Sequence, residues 1–237
     1  GLPNPRGSAR RHMTTPAHGD PTAQASTPRA THLVFVRHGE ALGANGRCIG
    51  HTDLLLSPSG AVAIQILTAA WHNAGTASVT GVPTRIVSSD LRRAADSAAL
   101  LAVPWDIPVE FTPQLREMHF GVWDGQPWSV IEAEDGARLQ AWMEQWVNLT
   151  TPSGEDVGAL MRRATKWLDT LLHNPLLHGD TTVVVSHAGW IRAALTYLLN
   201  RPISQMFDIP VGHACATIVR INASEMTLVA SDVPLIP

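Results

Sequence analysis

Three short segments bring arginines, histidines and small residues together: Arg37-His38-Gly39-Glu40, Ser88-Ser89-Asp90-Leu91-Arg92-Arg93-Ala94 and Ser186-His187-Ala188-Gly189. The ligand these residue types suit is a phosphate or another dianion. A guanidinium meets phosphate oxygens with a planar fork, each charge-assisted bond contributing about 1.5–3 kcal/mol. An imidazole changes charge near neutral pH, so it can act as a nucleophile or carry a proton. Gly39 and Gly189 would let backbone approach such a ligand closely. The chain has 11 histidines, so any one of them carries little weight. The conjunction of three segments carries the reading.

Each segment ends an apolar, β-rich run: Leu33-Val34-Phe35-Val36, Arg85-Ile86-Val87 and Thr182-Val183-Val184-Val185. Such runs read as buried strands, the third as a central one. Helices should follow them. Ser57 and Pro58 mark a helix start, as N-cap and first helical position, for a helix running to about Trp71. Leu91 to Leu101 is alanine-rich and stops before Pro104, and Ala188 to Leu199 follows the central strand. Ser153 is the expected cap of a helix whose stripe is Val157, Leu160, Ala164, Trp167 or Leu168, and Leu171. Leu139, Trp142 and Trp146 share a helical face. Thr217 to Ile221 and Met226 to Val229 read as a closing pair of strands. Strands alternating with helices predict an α/β fold, a three-layer α/β/α sandwich with a largely parallel central sheet. In such a sheet ligands sit at the carboxyl ends of strands. Helix N-termini there would add free N–H groups to an anion site.

The composition excludes several classes. Hydrophobic residues are 45% and charged residues 16%, unlike a disordered chain. Seventeen basic against 20 acidic residues predict neither a nucleic-acid partner nor a membrane surface, and no apolar run reaches a membrane span. Cys48 and Cys215 form no disulfide framework and no metal-ligand spacing, which fits a reduced, cytoplasmic setting. Residues 1–31 hold five prolines, four arginines and one acid. They read as a disordered tail, in part an expression-tag remnant from Arg6 to Met13. Residues 32–237 read as a single domain. A homodimer is compatible with the sequence, which does not fix an oligomeric state.

Leu33 to Glu40 resembles the Arg-His-Gly signature of the histidine phosphatase superfamily, also called phosphoglycerate mutase-like. Arg93-Ala94 matches its second phosphate-site segment, and Val184 to Gly189 the segment of its second histidine. Leu115-Arg116-Glu117-Met118-His119-Phe120-Gly121-Val122-Trp123-Asp124-Gly125 matches the stretch that supplies its acid. The resemblance implies that His38 attacks phosphorus and forms a phosphohistidine. It implies that Arg37, Arg93 and His187 hold the phosphoryl oxygens. Glu117 would protonate the leaving oxygen and then activate water; Glu40, Asp90 and Asp124 are the other acids near the motifs. No metal and no cofactor is implied. One departure is that no Asn stands at the family's usual spacing after Glu40, Asn45 being close.

The short, tryptophan-rich insertion between Trp123 and Gly154 resembles that of α-ribazole phosphatases, as do Gly46 to Asp53 and Phe207 to Ile218. The implied substrate is a small phosphate ester with a flat base. Trp128 and Trp123 are the candidates to stack on it, while Trp142, Trp146 and Trp167 read as core. A short lid favours hydrolysis over return transfer. A broad-specificity or sugar-phosphate phosphatase is the alternative, ahead of a phosphoglycerate mutase or a non-catalytic phosphate-binding module.

Overall fold

A computed structural model describes residues 29–223 and 225–237. Residues 1–28 of the expected tail lie outside the described residues. The apolar runs become β1 Thr31–Arg37, β2 Arg85–Ser89, β3 Val109–Thr112, β4 Thr181–Ser186, β5 Ala216–Asn222 and β6 Glu225–Val233. They form one sheet in the order β3-β2-β4-β1-β5-β6. The first four of that order are parallel, and β5 and β6 are antiparallel to their neighbours. The helices are α1 Pro58–Ala74, α2 Arg92–Ala102, α3 Trp128–Gln145, α4 Val157–Leu172 and α5 Ala188–Leu198.

Strand alternation divides the core in two. Leu33, Phe35, Val184 and Val219 face α4 and α5, where they join Leu160, Ala164, Trp190 and Ile191. Val34, Val36, Val183, Val185 and Ile218 face α1 and α2, where they join Ile64, Leu67, Ala98 and Leu101. Both faces of the central strands are therefore covered, which is why they read as unbroken apolar runs. The expected three layers follow. The α3 helix lies apart, on a third small cluster of Cys48, Trp123, Ile131 and Leu139.

Local signals explain the helix ends. The Ser57 hydroxyl accepts the Gly60 N–H at 3.0 Å, and Pro58 opens α1. For α4 the expected Ser153 cap is corrected to Asp156, whose carboxylate accepts the Ala159 N–H at 2.6 Å. An N-cap must directly precede the first helical residue; Ser153 instead occupies a left-handed turn with φ 58°. The buried stripe of α4 runs through Leu168 and not Trp167. The β3 strand was not expected. It is a four-residue edge strand with Glu110 and Phe111 exposed, so no alternating pattern marks it.

This topology builds a crevice. β1 and β4 are adjacent and parallel, yet β1 leads into α1 on one face and β4 into α5 on the other. That reversal is a topological switch point, where open α/β sheets bind ligands. In register, Arg37 lies beside Ser186 and Ser88 beside Val185. The three charged segments thus emerge together. No helix of the described residues is long and apolar enough to cross a membrane.

Candidate active site

His38 follows β1 directly and is 5% exposed. Its Nδ1 lies 2.6 Å from the Gly39 carbonyl. A carbonyl oxygen only accepts, so the proton belongs on Nδ1 and Nε2 carries the lone pair. Arg93 confirms this from the other side, its Nε donating to His38 Nε2 at 3.3 Å. Burial lowers the His38 pKa well below the usual histidine value, and Arg93 pushes the same way. The ring is therefore held neutral, with its lone pair available for attack.

Arg93 is itself buried. Its terminal nitrogens donate to the carbonyls of Gly50 at 2.8 Å and Thr52 at 2.9 Å. That loop is held by Asp124, which accepts the backbone N–H of His51 at 2.7 Å and of Thr52 at 2.9 Å. Asp124 is thus a loop anchor. His187 stands at the end of β4 with its ring 4.9 Å from that of His38. Its Nε2 meets the Ser89 hydroxyl at 2.8 Å, while Ser88 makes only a local bond to Ser89. His187 Nδ1 and Arg37 Nε are buried with no hydrogen-bond partner. Unpartnered buried polar atoms are rare in folded proteins, and both lie where the charged segments converge.

Glu117 is 9% exposed. Its carboxylate accepts the Met118 N–H at 2.8 Å and the Gly189 N–H at 3.1 Å. Of the other nearby acids, Asp90 and Asp124 are committed elsewhere, while Glu40 lines the same cleft as Glu117. Asp90 forms a two-pronged pair with Arg116 at 2.6 and 2.7 Å, and Glu40 is exposed beside Ser59.

Two expectations change here. At the N-termini of α2 and α5 one leading N–H each is taken by a carboxylate of the protein and not held for a ligand. Asp53 accepts the Arg92 N–H at 2.7 Å, and Glu117 accepts that of Gly189. These carboxylates already complement the helix dipoles. The glycines also serve the protein itself. A Cβ on Gly39 would collide with the Gly60 carbonyl at the start of α1, and one on Gly189 would collide with the Glu117 carboxylate.

A cleft of about 400 Å³ opens beside His38, Arg93 and His187, which do not themselves line it; its walls include Arg37, Glu117, Gly189, Trp128, Phe120 and Phe207. Trp128 thus faces the cleft as expected, and Asn45 does too. Trp123 does not. It is 2% exposed in the third cluster, and its indole N–H donates to Asp135 at 3.1 Å. Sequence reasoning missed His213, which lines the cleft with its ring 5.6 Å from that of His38. No spacing signal marks it among so many histidines. The Ala214 N–H, donating to the Arg37 carbonyl at 3.1 Å, brings it there.

The buried histidines predict an acid-sensitive fold. Burial lowers the pKa of both His38 and His187 well below 6.5. Between the folded and unfolded values the unfolded chain binds more protons. Stability is therefore complete above about pH 6.5 and falls as pH drops below it, by about 1.4 kcal/mol per pH unit for each such histidine. Thermal melting between pH 7.5 and 5.5 should show this loss, and His187→Gln should flatten the profile. An unchanged slope in that variant would contradict the assignment.

A profile of the histidine phosphatase superfamily (branch 1) matches residues 33–233. The chain belongs to that superfamily. This histidine phosphatase is 28% identical over 198 residues to the adenosylcobalamin/alpha-ribazole phosphatase of Escherichia coli K12, covering 83% of this chain and 93% of that one. Its fold superposes on the crystal structure of the alpha-ribazole phosphatase from Shigella flexneri with a TM-score of 0.78 at 25% identity, covering 87% and 98% of the two chains. A mycobacterial glucosyl-3-phosphoglycerate phosphatase gives 0.74 at 28% identity, covering 86% and 100%. Family and relatives make this histidine phosphatase a phosphoric monoester hydrolase.

Proposed function

We propose that this enzyme is a metal-independent phosphomonoesterase that passes through a phosphohistidine on His38, and that it dephosphorylates α-ribazole 5′-phosphate or adenosylcobalamin 5′-phosphate in cobalamin biosynthesis. One observation carries the chemistry: His38 is fixed between Gly39 and Arg93 with an unprotonated Nε2. In the first step the Nε2 lone pair attacks phosphorus as the ester P–O bond breaks. The Gly39 carbonyl, already bonded to Nδ1–H, stabilises the positive charge that the ring acquires. Arg93, Arg37 and His187 take the phosphoryl oxygens, the last two through their unpartnered nitrogens. The positive charge of the two guanidiniums does the work a metal ion performs in other phosphatases. Glu117 gives a proton to the leaving oxygen. In the second step it takes a proton from water, which attacks phosphorus and frees Nε2.

The relatives and the cleft wall support this substrate. Trp128, Phe120 and Phe207 offer aromatic faces that suit a flat dimethylbenzimidazole, at about 0.5–1.5 kcal/mol per stacked pair. Residues 32–237 then act as one catalytic domain. The test is phosphate release in EDTA from α-ribazole 5′-phosphate, 3-phosphoglycerate and a simple aryl phosphate. Preference for the first by at least tenfold in kcat/KM supports the reading, and loss of all activity in EDTA overturns metal independence. A sugar-phosphate or phosphoglycerate ester is the second reading. It is favoured by Arg47 and Arg192, which line the cleft and would suit a second anionic group. Preference for 3-phosphoglycerate would select it.

A further inference from the structure

Glu117 sits on no helix or strand. It lies on a strap between two short 3-10 turns, Pro113–Leu115 and Gly121–Trp123. Backbone carbonyls on such a segment need partners from elsewhere, and here side chains supply them. Arg163, on α4, reaches three: Gln114 at 2.9 Å, Arg116 at 2.8 Å and Glu117 at 3.4 Å. The Glu117 carbonyl is also met by His51 Nε2 at 2.8 Å. Arg163 is aimed by a two-pronged pair with Glu155, at 3.1 and 2.9 Å. Glu155 grips the strap one step further on, accepting the His119 N–H at 3.2 Å and donating its own N–H to the His119 carbonyl at 2.8 Å. The pair is largely shielded, at 18% and 15% side-chain exposure. Arg163 on α4 and Glu155, two residues before its start, therefore hold the strap on both sides of Glu117 with one ion pair.

We infer that Arg163, aimed by Glu155, is a positioning residue for proton delivery by Glu117. This rests on the reading of Glu117 as the acid. Arg163 does not line the cleft; it acts through the strap backbone. A planar fork is needed to span three carbonyls, and a lysine ammonium cannot do so. A misplaced acid harms esters in proportion to how much their leaving oxygen needs a proton. An aryl phosphate with an acidic phenol needs little help, whereas an alkyl phosphate needs a great deal. Displacement by an ångström can cost about 10²-fold.

The experiment measures kcat/KM for one aryl and one alkyl phosphate in wild type, Arg163→Lys, the double variant Arg163→Met/Glu155→Gln, and Glu117→Gln. The double variant removes both charges, so no carboxylate is left buried without a partner. Lysine keeps the pairing with Glu155 but loses the fork. Melting temperatures identify variants that remain folded. Glu117→Gln should lower alkyl turnover at least 30-fold more than aryl turnover. Both Arg163 variants should follow it, at about 10–100-fold for the alkyl ester and less than threefold for the aryl ester. If Glu117→Gln discriminates and folded Arg163 variants slow both esters equally, the positioning role is overturned. If Glu117→Gln itself shows no discrimination, the acid assignment fails instead.

Discussion

Replacing His38 with alanine should lower turnover by about 10⁴–10⁶-fold, the scale on which covalent enzymes lose rate without their nucleophile. The structure predicts so large a loss because no other group is prepared to attack. His38 alone has its lone pair fixed by a carbonyl on one nitrogen and a guanidinium on the other. His187 lies beside it, but no carbonyl fixes its tautomer: its Nε2 meets the Ser89 hydroxyl, which can donate or accept, and its Nδ1 is unpartnered. His213 reaches the cleft edge without a partner that sets its tautomer. Rapid quenching of wild type with substrate should trap an acid-labile phosphoryl group on the protein, and the variant should show none. Full turnover in His38→Ala would refute the covalent route.

Arg93→Met should cost about 10³-fold in kcat/KM, the range found for removal of a preorganised donor or an arginine that stabilises phosphoryl transfer. Two losses combine. The phosphoryl group loses a fixed positive charge, and the carbonyls of Gly50 and Thr52 lose their donor inside the protein. The second loss should destabilise the fold by about 2–4 kcal/mol. Arg93→Lys keeps the charge, but its three N–H groups sit on one atom and cannot replace a fork whose three nitrogens reach His38, Thr52 and Gly50, so it should stay about 10²-fold slow. The leaving group supplies the control. If Arg93 meets the phosphoryl end as proposed, aryl and alkyl esters should suffer equally, whereas the Arg163 variants should divide them. A loss below tenfold in Arg93→Met would show that Arg93 serves architecture alone.

Much of this arrangement was legible in the residues. β1 and β4 are covered on both faces, which leaves their apolar runs unmistakable, and Arg37, His38 and His187 fall where those runs end. The α4 stripe has the helical period because one face alone is buried. Other features left no local trace. β3 is a short edge with its side chains half in water, so nothing forces alternation. The cap of α4 depended on which acceptor directly preceded Val157, and a serine at a left-handed turn mimics that role. Trp123 and Trp128 have the same side chain; only the fold decides which is sealed behind Asp135 and which meets the cleft. Arg163 acts on carbonyls some 46–49 residues away, and backbone partners leave no sequence spacing to read.

The third cluster has a consequence for how such an enzyme changes over time. Cys48, Trp123, Ile131 and Leu139 pack under the aromatic wall of the cleft, and the wall's two strips are laced by Trp128 to Gly46 at 2.9 Å and Cys48 to Gln126 at 2.9 Å. Arg37, His38 and His187 stand where β1 and β4 end and Arg93 stands on α2, and the apolar residues of those elements belong to the two larger cores. Mutations that re-line the wall at Trp128 thus draw on a small, local core, whereas Phe120 packs against both that core and the α4–α5 side of the sheet. Selection can replace the organic half of the substrate while the step at phosphorus is inherited unchanged.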